Sequence, residues 1–289
     1  MADPTLKQYP NVGAVSVDVA GDDILVAYNG ATLDVNPDST VSIWRSLNGG
    51  QSWFRSDSGI PETLIPQESN SIFDVRRSPH SQGLVLGIVL PAVYQSSDGG
   101  SEWRLTLGER GVIVTGGKVR WHPYQPGEAW IFGETTLFSP YLAALRDNGA
   151  ALKTTVDFQR LGFPSDGYVT DVAFSALNPA VIYAATVRIG MPEKYKVIVS
   201  EDGGYMWSEA GFKLPEDGYV THMLEDPDQP GALYLAGGEH IYYTEGISIF
   251  ELARLEQKNI LSLAFAPLER ALIVGTHDGV YMVSFRHDN

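Results

Sequence analysis

The sequence predicts an all-β chain folded as a six-bladed β-propeller, and three observations carry that expectation. The motif Ser-x-Asp/Asn-x-Gly-x-x-Trp occurs three times, at Ser46–Trp53, Ser96–Trp103 and Ser200–Trp207. The first two copies start 50 residues apart and the third 104 further on, about two such steps; one four-stranded blade occupies that length of chain. A turn followed by a strand recurs at Ser78–Leu86, His122–Trp130, Ala176–Tyr183, Asp226–Tyr234 and Ala266–Ile273, with a looser copy at Ala20–Val26.

Each element follows from its residues. Ser46, Ser96 and Ser200 open the motif, and the short side chain of Asn48, Asp98 or Asp202 bonds backbone groups of its own turn. Gly50, Gly100 and Gly204 accept positive φ, and Trp53, Trp103 and Trp207 pack beside the corner as core residues. A calcium loop needs more acidic ligands, so these residues are assigned a structural role. A degenerate copy stands at Asp147-Asn148-Gly149, with Leu152 in place of the Trp. Apolar-rich stretches before the turn repeats predict the inner strands: Val12–Val19, Ser71–Arg77, Gly117–Trp121, Tyr168–Phe174, Tyr219–Leu224 and Ile260–Phe265. Two are near duplicates, Pro164–Asp171 and Pro215–His222, 51 residues apart.

The blades are expected at about 11–60, 70–110, 112–162, 164–213, 215–257 and 258–285, forming one domain over 1–289. The last blade has a third strand, Gly279–Phe285, and little chain after it. Its outer strand is either absent or supplied by Thr5–Tyr9, which would close the ring and cover an open edge. The longest irregular inserts are expected at Ala31–Thr40, Gly59–Asn70 and Ala184–Lys196, on a face or rim where partners are engaged.

Composition and charge narrow the function. With 44% apolar side chains, 30 Gly and 17 Pro, the chain can bury a large core yet is broken into short strands. No run is apolar enough to span a membrane, and the first 25 residues lack a basic start followed by an apolar core. A cytoplasmic protein or a mature exported form is expected. Cysteine is absent, which removes disulfides and thiolate chemistry. The net charge of −15 disfavours a phosphate backbone or an anionic membrane surface as partner.

The boxes at 46, 96 and 200, with their pitch near 50 residues, resemble the Asp-box (BNR-repeat) propellers over roughly residues 11 to 285. That superfamily includes sialidases, xyloglucan-cleaving glycoside hydrolases, sortilin-type receptors and photosystem II assembly factors. The resemblance implies the propeller fold; the activity it implies is open, because the box is a blade corner in all of them. The Arg-Ile-Pro type motif of sialidases is missing, and the tandem-propeller cleft of xyloglucanases has no room in one ring. No catalytic residue is carried over from either.

In a propeller the inner strands converge on the axis. Aligned on their apolar positions, they place Ser16, Asp74, Lys118, Asp171, His222 and Ser262 at one level, and Asp18, Arg76, Arg120, Ala173, Leu224 and Ala264 at the next. Asp171, His222 and Asp74 are the catalytic candidates of such a funnel. Arg76, Lys118, Arg120 and Asp18 are its ligand-binding candidates, the arginines as a bidentate clamp for an anion. The competing role is mutual pairing of charges along a watered channel. His122, His222, Asp74 and Asp171 come from different blades with no metal-ligand spacing, so no metal and no cofactor is expected. Two functions remain: a monomeric, non-catalytic binding or scaffold propeller that engages a protein or glycan through its loop face, or a hydrolase or lyase acting on a glycoside or other small polar substrate in the funnel.

Overall fold

The computed structural model describes residues 13–29, 42–61, 72–89, 92–107, 114–135, 140–147, 152–154, 168–188, 194–216 and 218–284. They form six antiparallel sheets, each a meander in chain order, the architecture of a six-bladed β-propeller. The first three sheets are β1 (Gly13–Ala20) to β4 (Phe54–Arg55) through β2 (Asp23–Asn29) and β3 (Ser42–Ser46); β5 (Ile72–Ser78), β6 (Ser81–Val89), β7 (Ala92–Ser96) and β8 (Arg104–Leu107); and β9 (Val114–Trp121), β10 (Glu128–Thr135), β11 (Pro140–Asp147) and β12 (Leu152–Thr154). The last three are β13 (Tyr168–Phe174), β14 (Ile182–Arg188), β15 (Lys194–Ser200) and β16 (Ser208–Glu209); β17 (His222–Glu225), β18 (Leu233–Gly237), β19 (His240–Glu245) and β20 (Ser248–Arg254); and the three-stranded β21 (Ile260–Ala266), β22 (Ala271–Thr276) and β23 (Gly279–Ser284). The chain divides into two compact units, 1–137 with 141–155 and 138–140 with 156–289. Each is described by itself.

Burial explains why the strands differ along a sheet. In Tyr-Val-Thr-Asp-Val-Ala-Phe of β13 every residue after Tyr168 is buried, whereas β1 exposes Val17 and Val19 and β21 exposes Leu261. Two last strands are short and exposed, Phe54–Arg55 in β4 and Ser208–Glu209 in β16, which limits the unpaired edge each offers to another chain; β20 runs over seven residues. Within each unit the core lies between successive sheets. In the first unit Leu25 and Ile43 pack on Val75 and Val85, and Leu86 and Ile88 on Val119 and Ile131. In the second, Ala185 and Val197 pack on Met223 and Leu235, and Tyr234 and Ile241 on Leu272 and Val274.

The predicted inner strands coincide with β1, β5, β9, β13, β17 and β21 to within a few residues. One expectation is corrected: Ala184–Lys196 is not an irregular insert, because β14 and β15 pair from Ile182↔Ser200 to Arg188↔Lys194. Tyr195 is therefore a strand residue, its ring 4.5 Å from that of Tyr219. Thr5–Tyr9, Asn148-Gly149, Ala31–Thr40 and most of Gly59–Asn70 lie outside the described residues.

Candidate functional site

The first hairpins set where the polar inner residues go. Pairing slips register immediately before Ser16, Asp74, Asp171 and Ser262, between Ala14/Ser16, Ile72/Asp74, Val169/Asp171 and Ile260/Ser262. Such a bulge re-aims the side chain beside it; β9 and β10 slip likewise before Lys118, between Phe132/Glu134, so five of the six residues aligned at one level share a backbone irregularity.

In the first unit the re-aimed carboxylate of Asp74, 2% exposed, joins three sheets. Its Oδ1 accepts the Ser16 hydroxyl at 2.5 Å and the Val75 N–H at 3.1 Å, and its Oδ2 accepts the Val119 N–H at 2.9 Å. Arg76 Nε lies 3.0 Å from Asp74 Oδ1, and its Nη1 donates to the Val17 carbonyl at 3.0 Å. One level on, Asp18 Oδ2 accepts the Arg77 N–H at 3.0 Å. Lys118 and Arg120 are half-buried on β9, opposite Phe132 and Trp130.

The second unit repeats the device. Asp171 is fully buried; its Oδ1 accepts the N–H of Val172 and its Oδ2 that of Met223, both at 2.9 Å. His222 precedes Met223 and is buried at the start of β17. Thr170, beside Asp171, donates to the Val220 carbonyl at 2.8 Å. The rule is common to Ser16, Asp18, Asp74 and Asp171: the inner side chain meets the N–H of the residue that follows its counterpart in the next sheet, Val75, Arg77, Val119 and Met223 respectively. A buried carboxylate so engaged is a latch between sheets, since buried N–H groups require partners. General acid–base work needs an oxygen that reaches a substrate proton.

The sequence-predicted candidates thus fall into two sets. Asp18, Asp74, Arg76, Lys118 and Arg120 belong to the first unit and Asp171 and His222 to the second, and within the units the carboxylates serve the main chain. Sequence reasoning missed Arg77, whose side chain is 4% exposed between Asp18 at 3.8 Å and Asp23 at 3.1 Å. Arg45 grips Asp23 bidentately at 2.9 and 2.7 Å. Burial pushes the Asp23 carboxyl up, but Arg45 and Arg77 outweigh it and hold it below the usual carboxylate range. No motif marks this pairing, since Asp23 and Arg77 are joined only by the fold.

The three Ser-x-Asp/Asn-x-Gly-x-x-Trp turns share one geometry. Ser46, Ser96 and Ser200 Oγ each accept the N–H of the second Gly at 2.8 Å. Asn48 Oδ1 accepts the Ser52 N–H, Asp98 Oδ1 those of Ser101 and Glu102, and Asp202 Oδ1 those of Tyr205 and Met206, all at 2.9 Å. For Asp98, burial raises the pKa, but the N–H groups of Glu102 and Ser101 and the Ser96 hydroxyl bring it below normal. For Asp202 the Met206 N–H leads in the same direction. Gly100 has φ +100°, and a Cβ there would sit 3.1 Å from Leu25 Cδ2. Trp103 and Trp207 are buried as expected, whereas Trp53 is only half-buried.

The second corner is also interlocked with the sheet before it. Trp103 Nε1 donates to Gly100 O and to Ser56 O, at 2.9 and 2.8 Å, Ser56 Oγ donates to Gly100 O at 2.6 Å, and Trp103 N donates to Ser58 O at 2.8 Å. Gly59, at φ +90°, lies so close that a Cβ would be 2.2 Å from the Trp103 carbonyl.

The turns after the first strands are closed alike. Ser78 Oγ, His122 Nδ1, Ser175 Oγ and Asp226 Oδ1 each accept the N–H two residues on, so His122 is a buried turn residue. His80 meets the His122 carbonyl at 3.1 Å, and the Tyr234 and Tyr243 hydroxyls both donate to Asp226 Oδ2 at 2.9 Å. Burial, then that bond, pushes both phenols up. Among the described residues no group of three or more His, Asp or Glu converges as a metal site would. A groove of about 260 Å³ on the outer edge of the second sheet is lined by Asp98, Glu102 and Arg104 among others, away from the inner strands.

No family model matches the chain, and no curated protein matches it. Solved structures do. It is similar to YCF48 bound to D1 peptide (15% identity, TM-score 0.62, covering 96% of this chain and 81% of that one). It is also similar to an ancestral GH74 enzyme (14%, 0.65, 96% and 39%) and to PorZ, a surface component of the type-IX secretion system of Porphyromonas gingivalis (12%, 0.58, 94% and 31%). The chain thus spans about a third of the length of the last two. Likeness at this identity concerns the fold.

Proposed function

We propose that this chain is a non-catalytic binding or scaffold propeller that engages a protein or glycan partner through its loop face, with blades of the Asp-box type. The observation that supports it best is the occupation of Asp74 and Asp171. The carboxylates best placed in sequence to catalyse accept backbone N–H groups of neighbouring sheets at 2.9 Å. The shared hydrogen bonding of the three box turns supports the Asp-box assignment. That YCF48 was solved with a bound D1 peptide shows that a propeller of this fold accommodates a polypeptide, which favours the same class of partner here. A net charge of −15 speaks against nucleic acid.

The test is a turnover screen of the purified chain on xyloglucan, sialosides and aryl glycosides, beside a thermal-shift screen with saccharides, small carboxylates and peptides. No turnover is expected, with shifts confined to peptides or glycans. Sugar release that disappears in Asp171→Asn while the circular dichroism spectrum is kept would sink the proposal and establish the hydrolase alternative.

A further inference from the structure

In an antiparallel meander the turns after the first and third strands leave the sheet at the same end. In the second unit these turns carry five large apolar side chains in water: Leu177 (73% exposed) between β13 and β14, Tyr205 (52%) and Met206 (67%) between β15 and β16, Ile247 (81%) between β19 and β20, and Leu268 (93%) between β21 and β22. None is needed to close its turn; main-chain and polar groups do that. Hydrogen bonds and an ion pair join the turns into one surface. Gly203 N donates to Ala180 O at 2.8 Å, Glu225 accepts the N–H groups of Ala176 and Gly231, Arg270 meets Asp228 at 2.9 Å, and Gln229 donates to Glu245.

The charge at this end is one-sided. Among its described residues Glu201, Asp202, Asp228, Glu245 and Glu269 are exposed and Glu225 is half-buried, against the single guanidinium of Arg270, already on Asp228. At the opposite end cations and anions alternate, with Arg254 on Glu239 and Lys258 on Asp278. The phenol of Tyr183, raised by burial and then by the field of Glu225 and Glu201, senses the same negative potential.

We infer that the turn end of the second unit docks a polypeptide segment that combines apolar with cationic side chains. This rests on the binding function proposed above and names its surface and partner chemistry. Apolar anchors and a polar rim are the ordinary anatomy of an interface, and the carboxylates select Lys and Arg while rejecting acidic partners. A second copy of this chain brings the same negative charge and fits poorly.

The test is fluorescence anisotropy on the full chain with three labelled probe peptides of Leu/Lys, Leu/Glu and Gly/Lys composition, the parent beside two triple variants. Met206→Ser/Ile247→Ser/Leu268→Ser removes the anchors and Glu201→Gln/Glu245→Gln/Glu269→Gln the charge. The Leu/Lys probe is expected to bind best, to lose roughly tenfold or more in affinity in each variant, and to weaken with salt only where the carboxylates remain. Equal binding of the Leu/Glu probe overturns the charge assignment. Unchanged Leu/Lys binding in both variants places the contact elsewhere and overturns the surface, leaving the binding function standing. Failure of every probe together with glycoside turnover by the parent overturns both. Dimerisation by sedimentation, lost in the first variant, reassigns the surface to a second copy.

Discussion

Asp74 and Asp171 on the inner strands and Asp98 and Asp202 in the corner turns do the same chemistry in opposite settings. All four accept main-chain N–H groups. The inner pair is buried, with donors on another sheet 45 and 52 residues away; the corner pair is exposed, with donors three and four residues on. The cost of leaving a donor unpaired grows with burial, so the inner carboxylates should govern global stability and the corner ones local order.

The contrast is broken most directly by Asp74→Ala, which strands the Val119 N–H and takes an acceptor from the Ser16 hydroxyl and from Arg76 Nε. A loss of about 3 kcal/mol or more is expected from urea denaturation. Asp171→Ala should cost about 2 kcal/mol, from the orphaned Met223 and Val172 N–H groups. Stability equal to the parent in either variant would refute the latch. Next comes Trp103→Phe, which removes the Nε1 bonds to Gly100 O and Ser56 O and should cost about 1–2 kcal/mol; Trp53→Phe, with its single bond to Gly50 O, should cost less.

The smallest effect sharpens the comparison inside the corner family. Asp98 and Asp202 have depressed pKa values when folded. Their stabilising contribution is therefore complete above the unfolded value near about 4 and is lost as pH falls through the lower folded value. Asn48 fills the same place without titrating. Hydrogen exchange should show the Glu102 and Met206 amides losing protection on acidification while Ser52 keeps its own; parallel loss at all three would place the acid sensitivity outside the corners.

The turn chemistry was legible because each corner closes on itself within eight residues, as were the inner strands, marked by apolar runs before each turn. Even the correspondence of Ser16 to Asp74, within the first unit, was found by alignment. The role of those residues was not, since it depends on donors in the neighbouring sheet, which a one-dimensional pattern does not display. Arg76 and Arg77 illustrate the limit. Strand alternation sends their side chains to opposite faces, and alignment to the axis selected Arg76, although Arg77 is the one locked between Asp18 and Asp23. Ala184–Lys196 shows a further limit, since the Ile-Tyr-Ala-Ala-Thr-Val and Tyr-Lys-Val-Ile-Val runs form a long pair.

The clasp of Ser56–Gly59 on Trp103 bears on how such a chain can be duplicated or cut. Judged by sequence, a repeat ends after its fourth strand. Judged by hydrogen bonds, the corner of the second sheet is complete only with the tail of the first. The second blade excised at the sequence boundary would therefore lose Ser56 O and Ser58 O, the acceptors that its own corner uses.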